Sequence, residues 1–410
     1  MLGIFPEGFL MPSNRRNLSI LFFTMVVVML GFGMIIPIMP FYIESFGAGG
    51  SALGLLMATY GVMQFLFAPV WGSLSDYYGR KPILLIGVLG NALAQIFMGL
   101  STELWMLFAA RAIAGVLSAA TLPTAMAYIG DSTSRENRGG GMGMIGAAMG
   151  IGMVLGPGLG GWLAGSSLSV PFFLAGALSF VAFLLIMLIL PESLQEKAAT
   201  RQITGPQLSV LWQALLGPLG ILFILSFLLA FGLTNFEGVF GLYASRKYGY
   251  GPQDVGTILT MIGVISAIIQ GFLIGPLTRR YGEVIIIRLA FLNTAIGFIL
   301  MILAQTNLQV WLTVCYFVIS HAMLTPSVSS LISKRATGGQ GIAMGLNNSF
   351  MSLGRIVGPV WAGFAFDSGI NLPYLTGGVI MLVGFYISAT KLSQSGEPRG
   401  VEEAQGQVVQ

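Results

Sequence analysis

Read in windows of about 20 residues, the length a helix needs to cross a hydrocarbon core, the chain divides into twelve apolar stretches. They fall near residues 18–43, 52–72, 82–100, 104–129, 140–165, 170–190, 218–245, 253–275, 284–304, 308–332, 340–366 and 372–391. Each predicts a transmembrane helix, six in each half of the chain. Several exceed the length a bilayer requires and contain Pro or paired Gly, which predicts tilted or bent helices whose freed backbone groups are satisfied inside a bundle. The polar segments between them repeat. GSLSDYYGRKPI, from Gly72 to Ile83, returns as GPLTRRYGEVII, from Gly275 to Ile286. Gly61 and Gly263, Pro123 and Pro326, Gly156-Pro157 and Gly358-Pro359, and Tyr42 and Tyr243 keep nearly the same offset. The halves are therefore related copies. Asp76 is replaced by Arg279 and Arg80 by Glu283, so the two loops have exchanged signs and diverged to different electrostatic roles.

Composition places these helices in a bilayer. With 55% hydrophobic and 8% charged residues and a mean hydropathy of +0.85, the chain cannot cover a water-soluble globule with polar surface. The expected fold class is an all-α membrane protein, twelve transmembrane helices in two pseudo-symmetric six-helix bundles. Residues 1–17 form a cytoplasmic amino-terminal arm; its Pro and Glu interrupt what would be a signal-peptide core. Residues 18–190 form the first bundle and 218–392 the second. Residues 191–217 form a polar cytoplasmic linker with a short interfacial helix around 210–216, and 393–410 a disordered cytoplasmic tail.

Arg15, Arg16, Arg80, Lys81, Arg135, Arg138, Lys197, Arg201, Arg279, Arg280, Lys334, Arg335, Lys391 and Arg399 fall on one side of this topology, Arg246 and Lys247 on the other. The positive-inside rule makes both termini and the linker cytoplasmic. The formal charge of +4 thus reflects topology and contact with anionic headgroups, and no basic stripe remains for nucleic acid. Cys315 is the only cysteine; disulfides within the chain and metal–thiolate clusters are excluded, and it reads as a small packed residue. No nucleotide-binding loop, catalytic triad or metal cluster is evident, which disfavours an enzyme or an ATP-driven pump.

Two charges sit well inside predicted spans, Arg111 in span 4 and Glu237 in span 7. A central charge costs about +2.5 to +3.5 kcal/mol on insertion scales, so each is a candidate functional group. Glu237 has Phe236 beside it and Leu233, Thr234, Phe240 and Gly241 at helical spacing, a face that suits a lipophilic cation competing with a proton. A buried Glu satisfied by a hydroxyl or amide is the plainer alternative. Arg111 keeps its proton, so its role is positional, either beside a proton site or tying span 4 to span 1. Arg288 reads as a snorkelling anchor, and Arg355 as an interdomain contact or the partner of an acid.

The repeated loop resembles the signature between spans 2 and 3 of the major facilitator superfamily. GIGMVLGPGLGGWLAG, from Gly150 to Gly165, resembles the span 5 signature of its proton-driven drug antiporters, and LFAARAIAGVLSAA, from Leu107 to Ala120, their span 4 signature with its arginine. The sequence around Phe236-Glu237 and GLNNSF, Gly345 to Phe350, is similar to multidrug antiporters of the quinolone-efflux type, and Pro171 to Ser193 to tetracycline antiporters. The resemblance implies the major facilitator fold and efflux of an amphipathic, cationic drug in exchange for protons. It implies no cofactor beyond the coupling proton, a small-molecule substrate, membrane lipids as surroundings, a monomer, and a bacterial plasma (inner) membrane location. Alternatives on the same scaffold are a sugar or metabolite exporter and a lipid or glycolipid flippase.

The resemblance also assigns roles. Gly72, Asp76, Gly79 and Arg80 become a latch that closes the cytoplasmic side through span 11, with the glycines allowing a turn and close helix approach. Gly152, Gly156, Pro157, Gly160 and Gly161 become the antiporter hinge, an interface between the halves. Glu237 and Arg111 become the proton-coupling and substrate groups. Asn347 is a cavity candidate by similarity, and Met34, Tyr60, Gln64, Phe231, Asn235, Phe236, Phe240 and Phe317 are further ones. His321 is either a packed histidine or a proton relay; Ala322 stands where quinolone-type relatives carry a second acid. Span 1 lacks the acid of tetracycline antiporters, and Asn293 and Thr294 stand where span 9 would carry one. Asp131 and Glu136 read as loop charges.

Overall fold

The structure is a computed structural model, and it describes residues 12–134, 138–195, 208–336 and 339–392. Arg135, Glu136, Lys197, Arg201 and Arg399, the Arg15 side chain, residues 196–207 of the linker, the tail from 393 and most of the amino-terminal arm lie outside the described residues. Span 1 is α1 (Pro12–Ser45), span 2 α2 (Gly50–Tyr78) and span 3 α3 (Arg80–Gly99). Span 4 is divided into α4 (Leu104–Ser118) and α5 (Thr121–Ser132), span 5 is α6 (Arg138–Leu163) and span 6 α7 (Val170–Ile189). The short α8 (Leu208–Leu216) lies in the linker. Span 7 is α9 (Gly220–Tyr248). Span 8 comprises α10 (Pro252–Ile268), a π-helical turn (Ile269–Leu273) and α11 (Ile274–Tyr281), and span 9 is α12 (Glu283–Leu303). Span 10 comprises α13 (Asn307–His321) and α14 (Leu324–Arg335), span 11 is α15 (Gln340–Ser368) and span 12 α16 (Leu372–Lys391). Eleven of these spans are long and apolar enough to cross a membrane; span 11, which carries Arg355 and Asp367, packs in the same bundle. No strand occurs among the described residues.

Proline explains why spans 4 and 10 break at matching places. Pro123 has no N–H to offer the Ala119 carbonyl and its ring crowds that oxygen, so α4 ends at Ser118 and α5 restarts at Thr121. Pro326 stands in the same relation to Ala322, at the junction of α13 and α14. The repeated loop is mostly helix, contrary to the sequence expectation: α2 continues to Tyr78 and α11 to Tyr281, beyond the apolar windows. The turn itself is one residue in each copy, Gly79 at φ 117° and Gly282 at φ 77°. A side chain would strain either position, because positive φ brings Cβ against the backbone.

Within the first bundle span 1 packs on spans 5 and 6, and span 3 on spans 4 and 6. Within the second, span 7 packs on span 11 and span 9 on spans 10 and 12. The halves meet where span 2 lies along span 11 and span 5 along span 8. The core of the second bundle is an aromatic cluster: the Phe236 ring lies 4.9 Å from both Phe240 and Phe317, Phe298 4.9 Å from Phe317, and Tyr243 4.3 Å from Tyr374. Rings tilted at these separations bury large apolar area in favourable geometry.

Candidate transport site and its gates

Glycines show where the halves touch. A Cβ added to Gly54 would meet the Pro359 carbonyl, one on Gly363 the Gly50 carbonyl, and one on Gly161 the Pro252 carbonyl. The repeat mates Gly61 and Gly263 face Ile356 and Val154 across the same boundary. All these contacts lie in the half of the spans remote from the chain termini. Toward the terminal face, Gly72, Gly143, Gly146, Gly150, Gly271, Gly275, Gly341 and Gly345 have nothing within 4 Å of an added Cβ. The bundles therefore converge at the face opposite the termini and part toward the terminal face, leaving a cleft whose apex is near mid-span.

Polar contacts reinforce the closed face. The Asp367 carboxylate, at the end of span 11, accepts the Gly50 and Ser51 N–H groups that open span 2. Arg246 of span 7 pairs with Glu44 of span 1 at 3.5 Å and lies 4.9 Å over the Phe366 ring. Trp162 of span 5 donates its indole N–H to Thr257 of span 8 at 3.3 Å. Sequence reasoning missed Asp367, Glu44 and the contacts of Arg246 across the two bundles. Their signal was faint, since charges at helix ends are ordinary topology markers.

Two glycines follow Glu237, one and four residues on, and fix its setting: Gly238 packs on Pro359 of span 11, and Gly241 on Pro40 of span 1. The Glu237 side chain is half-buried and has no hydrogen-bond partner among the described residues. It interacts electrostatically with Arg355 of span 11, without an ion pair in contact. Arg355 is exposed. Arg111 is buried, its guanidinium 5.5 Å from the centre of the Tyr60 ring. The Tyr60 hydroxyl bonds Ser118 at 3.1 Å and receives a bond from Gln64 at 3.4 Å, and the half-buried Phe32 ring lies 5.4 Å away.

The expected aromatic wall beside Glu237 is corrected. Phe236, Phe240 and Phe317 belong to the buried cluster of the second bundle, with exposures of 0%, 2% and 0%. Asn235 is buried and donates to the Pro373 carbonyl at 2.9 Å, and Asn347 donates to Ser329 and accepts from Ser226. Met34 and Phe231 are buried as well. His321 bonds the Leu229 carbonyl at 2.9 Å and stacks on Phe317, the packed arrangement of its two readings. Of the cavity candidates, Tyr60 and Gln64 keep exposed surface in this state.

The hinge glycines divide between two faces. Gly152, Gly156 and Gly160 abut the span 1 backbone at Val26 to Met34, and Pro157 touches Gly33, all within one bundle. Gly161, together with Gly158, which the sequence reading left out, faces span 8 of the other bundle. A four-residue spacing keeps 152, 156 and 160 on one stripe, and position 161 lies a quarter turn away.

In the latch segment, Gly72 is a helical residue with open surroundings, so the expected close approach there is absent in this state. Asp76 is exposed and pairs with Arg80. Arg80 is buried and donates to Asp131 at 2.9 Å and to Ser75 at 2.7 Å, tying span 2 to the end of span 4 rather than to headgroups. Asp131 is therefore an ion-pair partner, not a free loop charge. Glu192, from the segment after span 6, accepts the Arg80 and Lys81 N–H groups at 2.9 and 3.1 Å and caps span 3. Arg288 donates to the Ser388, Ala389 and Leu392 carbonyls and closes the last turn of span 12.

Two six-helix bundles meeting through spans 2, 5, 8 and 11 around a cleft with charges at its apex define a multi-pass membrane transporter. Residues 21–359 and 222–409 match the Major Facilitator Superfamily, and the chain belongs to that superfamily. It is 32% identical over 376 residues to Multidrug resistance protein 2 of Bacillus subtilis (strain 168), covering 91% of this chain and 94% of that protein. It is 29% identical to Quinolone resistance protein NorA of Staphylococcus aureus (strain COL), over 91% of this chain and 96% of that one. Among solved structures, a bacterial homolog of the human lysosomal transporter Spinster has the same fold, with a TM-score of 0.78 at 14% identity over 93% of this chain and 97% of that chain.

Proposed function

We propose that the protein exports amphipathic drugs from a bacterial cell in exchange for protons, its two bundles rocking about the apex of the cleft. The observation that carries this reading is Glu237: an acid at the junction of spans 1, 7 and 11, half-buried, with no hydrogen-bond partner among the described residues. A carboxyl group that the protein leaves unsatisfied can carry a proton in one state and meet a cationic group of the substrate in the other. The excess of basic residues on the terminal face supports a cytoplasmic position for that face, and on this reading the described state is open inward. Drug efflux is supported by the names of relatives that align over nearly the whole chain. One chain holds both bundles and the cleft, so a monomer suffices, and the proton is the one coupling species required.

Glu237→Gln removes the ionisable proton and nearly preserves volume. In everted membrane vesicles proton-driven export should collapse while insertion and folding persist. Normal proton-driven export by the variant would remove Glu237 from the mechanism.

A further inference from the structure

Arg111 differs from the basic side chains that find an acceptor. Arg80 has Asp76, Asp131 and Ser75; Arg288 has three carbonyls; Lys334 has Glu283; Arg246 has Glu44; and Lys247 has the Tyr243 hydroxyl and the Ile302 carbonyl. Arg111 is 3% exposed and has neither a hydrogen bond nor an ion pair among the described residues. Its Nε is buried without a partner. Its guanidinium lies over the Tyr60 ring, whose hydroxyl is already held by Ser118 and Gln64. A ring face attracts a cation, but accepts none of the guanidinium N–H groups in the manner of a carboxylate.

The charges near the apex do not balance. Arg111 and Arg355 stand against Glu237, and Arg355 interacts with Glu237 while Arg111 does not. Tyr60 is ten residues inside the start of span 2 and Glu237 eleven residues inside the end of span 7. Both ends lie at the closed face, so at about 1.5 Å per residue the two sites share one depth. Buried guanidinium groups are ordinarily paired, and their planar fork of donors matches a carboxylate in two parallel bonds.

We propose that Arg111, backed by Tyr60, is a subsite for a carboxylate on the transported molecule, so that preferred substrates are amphipathic zwitterions whose ammonium group faces Glu237. The proposal rests on the exporter reading for what is carried. The cation-only expectation for the cleft is thereby replaced: the apolar body lies between the halves, the Phe32 and Tyr60 rings contribute one wall, and a group of each sign is held by one bundle. Arg111 acts by binding; its proton stays in place throughout.

The test is equilibrium binding to the purified full chain, read by fluorescence for Nα-dansyl-lysine, whose ε-ammonium and carboxylate lie at opposite ends of the side chain, and its methyl ester, and by radiolabel for tetraphenylphosphonium. The acid and ester share the amine and the apolar body, and the ester lacks the anion. Wild type should bind the acid about tenfold tighter than the ester, the size of one tenfold step in affinity. Arg111→Gln should abolish that preference by weakening the acid alone, with tetraphenylphosphonium and ester binding retained; Arg111→Lys should keep part of it. Equal affinity of wild type for acid and ester overturns the subsite, and so does an acid preference that survives Arg111→Gln. Parallel loss of all three probes in Arg111→Gln and Arg111→Lys makes Arg111 a structural residue and also overturns it. Displacement of the acid by phosphatidylglycerol, but not by phosphatidylcholine, assigns the subsite to a lipid headgroup instead. An acid preference that depends on Arg111, found without proton-coupled transport, supports the subsite and sinks the antiport reading.

Discussion

The Asp367 carboxylate accepts the Gly50 N–H at 2.7 Å, so the last turn of span 11 caps the first turn of span 2 in the opposite bundle. A second bond, from the Ser51 N–H at 2.8 Å, completes the cap. The matching helix start in the second half, at span 8, is capped within its own chain segment: the Gly251 N–H donates to Asp254 at 3.0 Å. Parting the halves at this face leaves span 2 without its cap and leaves span 8 unchanged. Asp367→Asn should therefore favour the state open at this face. A water-exposed, charge-assisted cap is worth about 1 kcal/mol, or roughly a fivefold change in the population ratio. Pulsed electron–electron resonance between spin labels at the outer ends of spans 1 and 7 would read the shift; Asp254→Asn, which alters a cap within one bundle, should leave the distances in place. Equal shifts in both variants would dismiss the trans-cap.

Neighbouring glycines of span 5 should fail differently. Gly160 lies against the Met34 backbone inside the first bundle, whereas Gly161 lies against Pro252 and Gly256 of the second. A methyl group at Gly160 strains one bundle in every state, so Gly160→Ala should lower thermal stability, by about 1–3 kcal/mol for an overpacked site. A methyl at Gly161 strains the closed face alone. Gly161→Ala should leave the bundles folded and populate the state open at that face, with transport reduced. Identical stability losses for the two variants, and no change in state, would show that both glycines face one neighbour.

The twelve spans were legible because a bilayer demands long apolar helices, and the repeat was legible because Pro123/Pro326 and the paired loops survive in both halves. The side-chain environments were much less so. Helical spacing put Phe240 on the Glu237 face, yet its ring turns into the second bundle toward Phe236, because the neighbours that define inside and outside come from other spans. The hinge stripe illustrates the same limit: four glycines read as one surface, but a single-residue step moves Gly161 from span 1 to span 8. Asp367 had no local signal, since its partners are backbone N–H groups more than three hundred positions away. Arg111 was visible as an intramembrane charge; its lack of a partner needed the packed structure.

The two charged latch residues should separate by what each supports. Asp76 is exposed and makes an ion pair with Arg80 alone, so Asp76→Asn should leave stability within about 1 kcal/mol of wild type. If it closes the cytoplasmic side in the other state, the variant should shift toward the inward-open form. Arg80 also holds Asp131 and Ser75 from a buried position, and Arg80→Ala should cost about 1–3 kcal/mol by removing both charge-assisted bonds. Thermal unfolding in detergent would measure both. A larger stability loss in Asp76→Asn than in Arg80→Ala would invert this assignment.

Substrate charge sets which driving force the exchange can use. If Glu237 carries one proton per cycle, exchange for a monovalent cation moves no net charge, and the voltage contribution of about 2.3 kcal/mol per charge per 100 mV cancels. One pH unit, about 1.36 kcal/mol, then supports roughly tenfold accumulation. A zwitterion bound between Arg111 and Glu237 is neutral overall, so its exchange for one proton moves one positive charge and responds to voltage as well as to pH. In proteoliposomes with the pH difference and a potassium-diffusion potential imposed separately, tetraphenylphosphonium transport should follow pH and ignore the potential, while Nα-dansyl-lysine transport should follow both. Voltage-driven tetraphenylphosphonium accumulation would require a second coupling group. His321 is a poor candidate, held buried on the Leu229 carbonyl. Zwitterion transport indifferent to the potential would instead mean that no net charge crosses with it, and single-proton exchange at Glu237 would be wrong.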